Sequence, residues 1–221
     1  AYPQSYVYIT YRPVGMGENM VEKSKKEKLI EAATLCFAEK GYHSTTVDDI
    51  AAHAGMTKGG VYWYFRSKRE IFMAILEENI IINRAIWDKI DRLSNELSPK
   101  ELLFAGGMLF IERIMEDPFL QRLHDEIRAE AVKDPAVREK LFENISTGVG
   151  YIGRYFEKAI KREALRVGDF RRLSFCIVMT IMGLGNAYWM TGRRLDPKSF
   201  WREFVDDLFR GIGVPEREVT Q

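Results

Sequence analysis

The sequence predicts an all-α protein, and three observations predict it. From Lys23 onward, apolar residues recur at spacings of three and four, as one buried face of a helix requires. Strand-like period-two alternation and the Asn-Gly turns of hairpins are missing from that stretch. Helix starts (Ser, Thr, Asp, Pro) and helix stops (Gly) punctuate it.

The elements follow in order. "SKKEKLIEAATLCFAEK" places Leu29, Ile30, Ala33, Cys36 and Phe37 on one face, and Gly41 after Lys40 stops the helix. "STTVDDI" opens a second helix, with Thr45 or Thr46 as its cap and Asp48 and Asp49 in the first turn. Gly55 ends it early, because glycine tolerates the left-handed backbone of a sharp turn. Thr57 then caps a third short helix, from Lys58 to about Tyr64. Two short helices joined by a tight glycine turn make a helix-turn-helix, with Ile50, Ala51, Ala54, Val61 and Phe65 as the small core between them. A long amphipathic helix starts at the Ser67 cap, "SKREIFMAILEENIIINRAIWDKIDRLSNEL". "SPKELLFAGGMLFIERIMED" is apolar on most sides, so it reads as buried among helices. "PFLQRLHDEIRAEAVKD" and "PAVREKLFENISTGVGYIGRYFEKAIKREAL" each open on a proline. "DFRRLSFCIVMTIMGLGNAYWMTG" and "DPKSFWREFVDDLFRGIG" close the series.

Composition narrows the function classes. With 46% hydrophobic and 29% charged residues in 221, the chain can bury a sizeable core without a disulfide or metal staple. A net charge of +1 excludes a polycation, so any nucleic-acid binding must come from a local patch. Cys36 and Cys176 have apolar neighbours and read as reduced core residues of a cytoplasmic protein. His43, His53 and His124 lack zinc-finger spacing, so no metal site is expected. Residues 1–20 lack a signal-peptide apolar region and read as a non-native leader or flexible arm, with Met16 or Met20 as possible natural starts. The nearly uncharged run from Ser174 to Met190 falls short of the roughly 20 apolar residues of a membrane span. It also contains Asn186 and has basic pairs at both ends, so it reads as a helix covered by its own domain and a partner chain, with no membrane partner.

The chemistry concentrates in "TKGGVYWYFRSK". A recognition helix enters the major groove by its N-terminal end, where free N–H groups and a positive dipole suit phosphate. Lys58 adds charge and reach; Gly59 and Gly60 let the backbone approach the bases; Tyr62 can give its hydroxyl to a phosphate. Trp63 belongs to the same exposed-looking run. Lys68 is placed for a neighbouring phosphate, with Arg66 and Arg69 in support, and Thr45 and Thr46 for the far side of the groove. Each residue alone could be a solvated charge, a cap or packing. The coincidence of patch, motif and geometry points to double-stranded DNA. Gly-rich phosphate loops, nucleophile elbows and paired metal ligands are missing, and no catalytic residue or cofactor is assigned. Glu112 and Glu126 could pair with His124, but a solvated helix face explains them more simply.

From Leu29 to Leu76, "LIEAATLCFAEKGYHSTTVDDIAAHAGMTKGGVYWYFRSKREIFMAIL" resembles the N-terminal signature of the TetR family of transcriptional regulators. The shared features are the turn glycine, the Thr-Lys-Gly opening of the third helix and the Tyr-x-Tyr-Phe-x-x-Lys ending. The sequence departs from the family at Gly60, often a small side chain there, and at Cys36, usually leucine. The resemblance implies a three-helix head, residues 21–67, and a larger ligand-binding and dimerisation body, residues 68–213, followed by a tail, 214–221. It also implies a homodimeric repressor on a palindromic operator, released by a small ligand.

For the body, Phe104, Met108, Ile111, Tyr151, Tyr155, Met179, Met182 and Trp189 are candidate pocket walls, since Met and aromatics suit adaptable apolar pockets for a small hydrophobic or amphipathic effector. Asn186 needs partners if buried, so it is a ligand contact or a dimer contact. Phe175, Trp201, Phe204 and Leu208 in the last two helices, with Phe209, are candidates for an interface across a two-fold axis.

Overall fold

The computed structural model describes residues 24–161 and 168–212. It is all-helical, with no strand among the described residues: α1 Lys25–Lys40, α2 Val47–His53, α3 Lys58–Tyr64, α4 Lys68–Arg92, α5 Pro99–Glu116, α6 Pro118–Lys133, α7 Pro135–Lys161, α8 Phe170–Met190 and α9 Pro197–Ile212. A 3-10 turn, Leu93–Asn95, follows α4. The leader, the strand-like "SYVYITYR", the last four residues of "KREAL" and the tail lie outside the described residues.

Local chemistry sets the short helices. The Ser24 side chain accepts from the Glu27 backbone N–H while Glu27 reaches back to the Ser24 N–H, a reciprocal box that starts α1. Thr46, rather than Thr45, makes the same box with Asp49 at α2. Gly55 takes φ +63° in the turn, and Thr57 accepts from the Gly60 N–H to start α3.

The chain packs as two compact units. One comprises, of the described residues, 24–83 and 117–144; the other comprises 84–116, 145–161 and 168–212. The division does not fall at residue 67. Ile71, Phe72, Ile75 and Leu76 of α4, Leu123, Ile127 and Ala131 of α6, and Val137 of α7 join Leu29, Phe37, Ile50, Val61 and Phe65 in one core. Three short helices have too little apolar surface to close a core alone, so α4 and α6 complete it.

The second unit is built on α5, whose buried residues run from Leu102 to Leu109 without a break. Trp201 is its keystone. The indole is 0% exposed, donates Nε1 to the Phe104 carbonyl at 3.0 Å and lies against Gly107, where an added Cβ would sit 2.1 Å from the ring. Trp201 is therefore core of its own unit, not a residue offered to a partner. α8 is, by length and composition, able to cross a membrane, because it begins at Phe170 and gains a turn over the apolar run counted from Ser174. One side of it, with Ile177, Val178, Ile181 and Gly185, is buried; Phe175 and Met190 are exposed. Cys36 is buried as expected, but Cys176 lies on the exposed side of α8.

Candidate nucleic-acid interface

α2, the Gly55 turn and α3 form the helix-turn-helix. Val61 of α3 is fully buried against Ile50 and Ala51 of α2, which fixes the roll of α3. That roll turns Lys58, Gly59, Tyr62 and Trp63 outward. Tyr62 is 47% exposed and Trp63 78%. The Trp63 and Tyr64 rings meet in a T-shaped contact, 4.5 Å between centroids.

Gly59 is informative for what surrounds it. A Cβ there would meet nothing nearer than the Thr57 hydroxyl at 4.0 Å. Gly59 stands in the first turn of α3, just after the Thr57 cap and Lys58. Nothing in the head's own packing requires a glycine there. Gly60 is tighter, 3.3 Å from the Thr57 hydroxyl and 3.4 Å from Met56 Cε.

The charges near this surface are mostly engaged. Lys58 Nζ lies 2.7 Å from Asp48 Oδ2, a hydrogen-bonded pair that raises the Lys58 pKa. Lys40 pairs with Asp49. Arg69 grips Asp134 through two bonds, Nε at 2.7 Å and Nη2 at 3.0 Å, which holds the Asp134 carboxyl down at about 2. Arg66 is exposed next to α3, and its backbone N–H donates to Glu70.

Two expected DNA contacts are corrected. Thr45 is 1% exposed, and its hydroxyl donates to the Cys36 carbonyl at 3.0 Å and the Gly41 carbonyl at 2.8 Å. It ties the end of α1 to the following turn. Lys68 also points inward: Nζ donates to the carbonyls of Tyr42 (2.6 Å), Thr45 (2.8 Å) and His43 (3.2 Å), and burial lowers its pKa. A charged donor gathering three carbonyls is a structural clip. Thr46 and Thr57 keep exposed hydroxyls, each used as a cap.

The same turn is held from α6. The Tyr42 N–H donates to Glu126 at 2.7 Å, and His43 Nε2 lies 2.7 Å from the buried Glu130 carboxylate, which also accepts from Lys133 at 3.0 Å. Burial works to raise the Glu130 pKa, but the Lys133 and His43 bonds outweigh it and the pKa is lowered. Glu126 thus serves the turn, and Glu112 pairs with Lys198 at 2.7 Å. Sequence reading gave Glu112 and Glu126 to a solvated helix face and did not single out Glu130, because the partners Lys198, Tyr42 and His43 lie more than 80 positions away.

In the second unit a cavity of about 30 Å³ is lined by residues of α4, α5, α7 and α8, among them Trp87, Ile90, Leu103, Gly106, Ile152 and Ile181. Of the expected walls only Tyr151 and Tyr155 line it. Both hydroxyls are engaged, Tyr151 with Asp88 and Tyr155 with the Pro99 carbonyl, and burial pushes the Tyr155 pKa well up. Phe104, Met108 and Ile111 are buried core, and Met179 and Met182 pack against that core. Trp189 donates Nε1 to the Ile114 carbonyl at 3.0 Å, and Asn186 is half-buried on α8. Phe175 is exposed, and Phe204 and Leu208 are half-buried on α9.

Comparison with known proteins falls on the same surface. Residues 29–75 match the family of bacterial regulatory proteins described as the tetR family. The transposon Tn10 TetC protein of Escherichia coli is 35% identical over 90 residues, a match that covers 40% of this chain and 45% of that protein. The chain therefore spans less than half of that curated relative. A solved structure described as a TetR-family transcriptional regulator from Mesorhizobium loti superposes with a TM-score of 0.73 at 24% identity, over 86% of this chain and 97% of that one. FadR from Bacillus subtilis, in complex with stearoyl-CoA, gives 0.71 at 22%, over 81% and 95%. At those identities the likeness is one of fold.

Proposed function

We propose, from the match of residues 29–75 to the family of bacterial regulatory proteins described as the tetR family, that this chain is a homodimeric repressor of that family. It binds a palindromic operator in the cytoplasm and leaves it when a small hydrophobic or amphipathic effector enters the body. One observation carries the reading: the stretch that matches the family is the one whose fold turns Lys58, Gly59, Tyr62 and Trp63 outward together.

In this reading the N-terminus of α3 enters the major groove. Its N–H groups face phosphate, Lys58 reaches base edges, and the Tyr62 hydroxyl takes a phosphate oxygen. Gly59 permits close backbone approach, Trp63 supplies apolar contact, and Thr46, Thr57 and Gly60 border the contact. Two heads meet half-sites one or more helical turns apart.

The exposed apolar residues of α8 and α9, Phe175, Met190 and Phe200, support pairing of two copies through these helices, with Phe204 and Leu208 at the edge. The cavity supports the effector site, with Tyr151 and Tyr155 on its wall. At about 30 Å³ it is far below the roughly 300–1,000 Å³ of drug-sized sites, so a ligand has to open it. FadR of Bacillus subtilis holds stearoyl-CoA, an amphipathic ligand of the class expected here.

The test is selection of duplexes from a random-sequence library, followed by anisotropy titration. An enriched palindrome whose binding is lost in a Lys58→Ala, Tyr62→Phe double variant of unchanged helicity supports the reading. No enrichment, or unchanged affinity in that variant, contradicts it.

A further inference from the structure

The pair between Lys58 and Asp48 has a consequence for specificity. Both side chains are exposed, 53% and 64%, so the pair lies in high dielectric and adds little to stability. Asp48 is not needed to cap α2 either, because Thr46 and Asp49 already form the reciprocal box. Yet its carboxylate holds the cation at the first position of α3, on the face assigned to DNA.

We propose that Asp48 is a specificity-determining residue of the DNA-binding surface: it withholds Lys58 from phosphate and, with Lys58, reads one C·G base pair. The proposal rests on the DNA-binding reading above. Its physical basis is a contrast between two targets. Against a phosphate, Lys58 must leave Asp48, and the abandoned carboxylate faces more negative charge. Against a C·G pair in the major groove, guanine presents acceptors at N7 and O6 and cytosine presents its N4 amino donor. Lys58 donates to the first while Asp48 accepts from the second, so both ends are satisfied. Sequence-independent binding, which is mostly phosphate contact, is thereby weakened more than binding at the correct site. Such built-in repulsion of the wrong target is how specificity is gained without raising affinity.

The test uses the full chain, wild type and Asp48→Asn, with Asp48→Ala as a second removal of the same charge. Each is titrated onto the duplex enriched from a random library and onto a scrambled duplex of equal length, at several salt concentrations. The expected result is several-fold tighter binding of both variants to the scrambled duplex, with the slope of log K against log salt steeper by about 0.9 per head. The gain on the enriched duplex is smaller, so the ratio between the two falls. Selection repeated with Asp48→Asn loses the preference at one C·G position in each half-site. In a Lys58→Ala background the gain on the scrambled duplex shrinks, because only the loss of carboxylate repulsion remains and no cation is released to phosphate. Unchanged binding to the scrambled duplex, an equal gain on both duplexes, an unaltered selected motif or a gain on the scrambled duplex that is as large without Lys58 overturns the proposal. If wild type enriches no sequence, the regulator reading fails first and the proposal falls with it, before any variant is compared.

Discussion

The α1–α2 turn and the start of α3 use the same residue types in opposite senses. At the turn, Tyr42 packs its ring on Phe72 at 4.6 Å, Thr45 is buried on two carbonyls and Lys68 gathers three. At α3, Tyr62 is exposed, Thr57 caps from the surface and Lys58 meets only an exposed carboxylate. A threonine, a lysine and a tyrosine hold the head together in one place and face outward in the other. Residue type does not decide which; the partners do, backbone carbonyls of α1 and the turn for Thr45 and Lys68, and Phe72 of α4 for Tyr42. Substitutions at the turn are therefore expected to cost stability, and those at α3 to cost DNA binding.

The largest stability effect is expected at Lys68. Lys68→Met leaves three carbonyls without their charged donor and should destabilise the head by roughly 1.5–3 kcal/mol, read as a lower urea midpoint at unchanged m-value. Full stability with a weakened salt dependence of DNA binding would restore the phosphate role read from the sequence. Thr45→Val removes a buried donor from the Cys36 and Gly41 carbonyls, and about 1–2 kcal/mol should be lost. Gly59→Ala should move the two properties in opposite directions. The free head gains less than the helix-interior value of about 0.5–1 kcal/mol, since the Cβ has room but Gly59 is in the first turn, while affinity for the selected duplex falls. A gain in both would mean that no backbone approaches DNA at this position.

The smallest effect separates the turn from α3 by pH. Asp134 has its pKa depressed to about 2 in the folded state by Arg69, against about 3.9 in an unfolded chain. A depressed carboxyl contributes stability above its unfolded value, so that contribution is intact above about pH 4 and is lost as pH falls through about 2. Glu130 is shifted in the same direction. Asp134→Asn should therefore flatten the acid limb of head stability, followed by circular dichroism in urea from pH 6 to pH 2. An unchanged acid limb would show that the Arg69 pair is not what holds that end of α6.

How much of this was legible in the sequence depended on range. The helix-turn-helix was legible because its signals are local: the Thr57 cap, the Gly55 turn and the Val61 anchor lie within seven positions. The choice of Thr46 over Thr45 as cap was half legible, since either fits the spacing and only burial under α1 separates them. Lys68 was misread because a lysine at the start of a helix resembles a phosphate contact until Tyr42, His43 and Thr45 arrive beneath it. Trp201 was misread for a similar reason. An amphipathic last helix offers its tryptophan equally to a partner or to a glycine, and Gly107 lies 94 positions earlier. The cavity was nearly illegible, because its walls come from four helices and several are plain Ile, Leu or Gly.

The most direct test of the central claim, that the outward face of α3 binds DNA through charge and base contact together, is the salt dependence of wild-type binding. The duplex enriched by selection would be titrated across a tenfold range of salt. The account predicts a linear fall of log K against log salt, because each phosphate contact displaces counterions, and weaker binding by Lys58→Ala at every salt concentration, because a base contact is lost. A flat line, or an affinity that Lys58→Ala leaves unchanged, would contradict it.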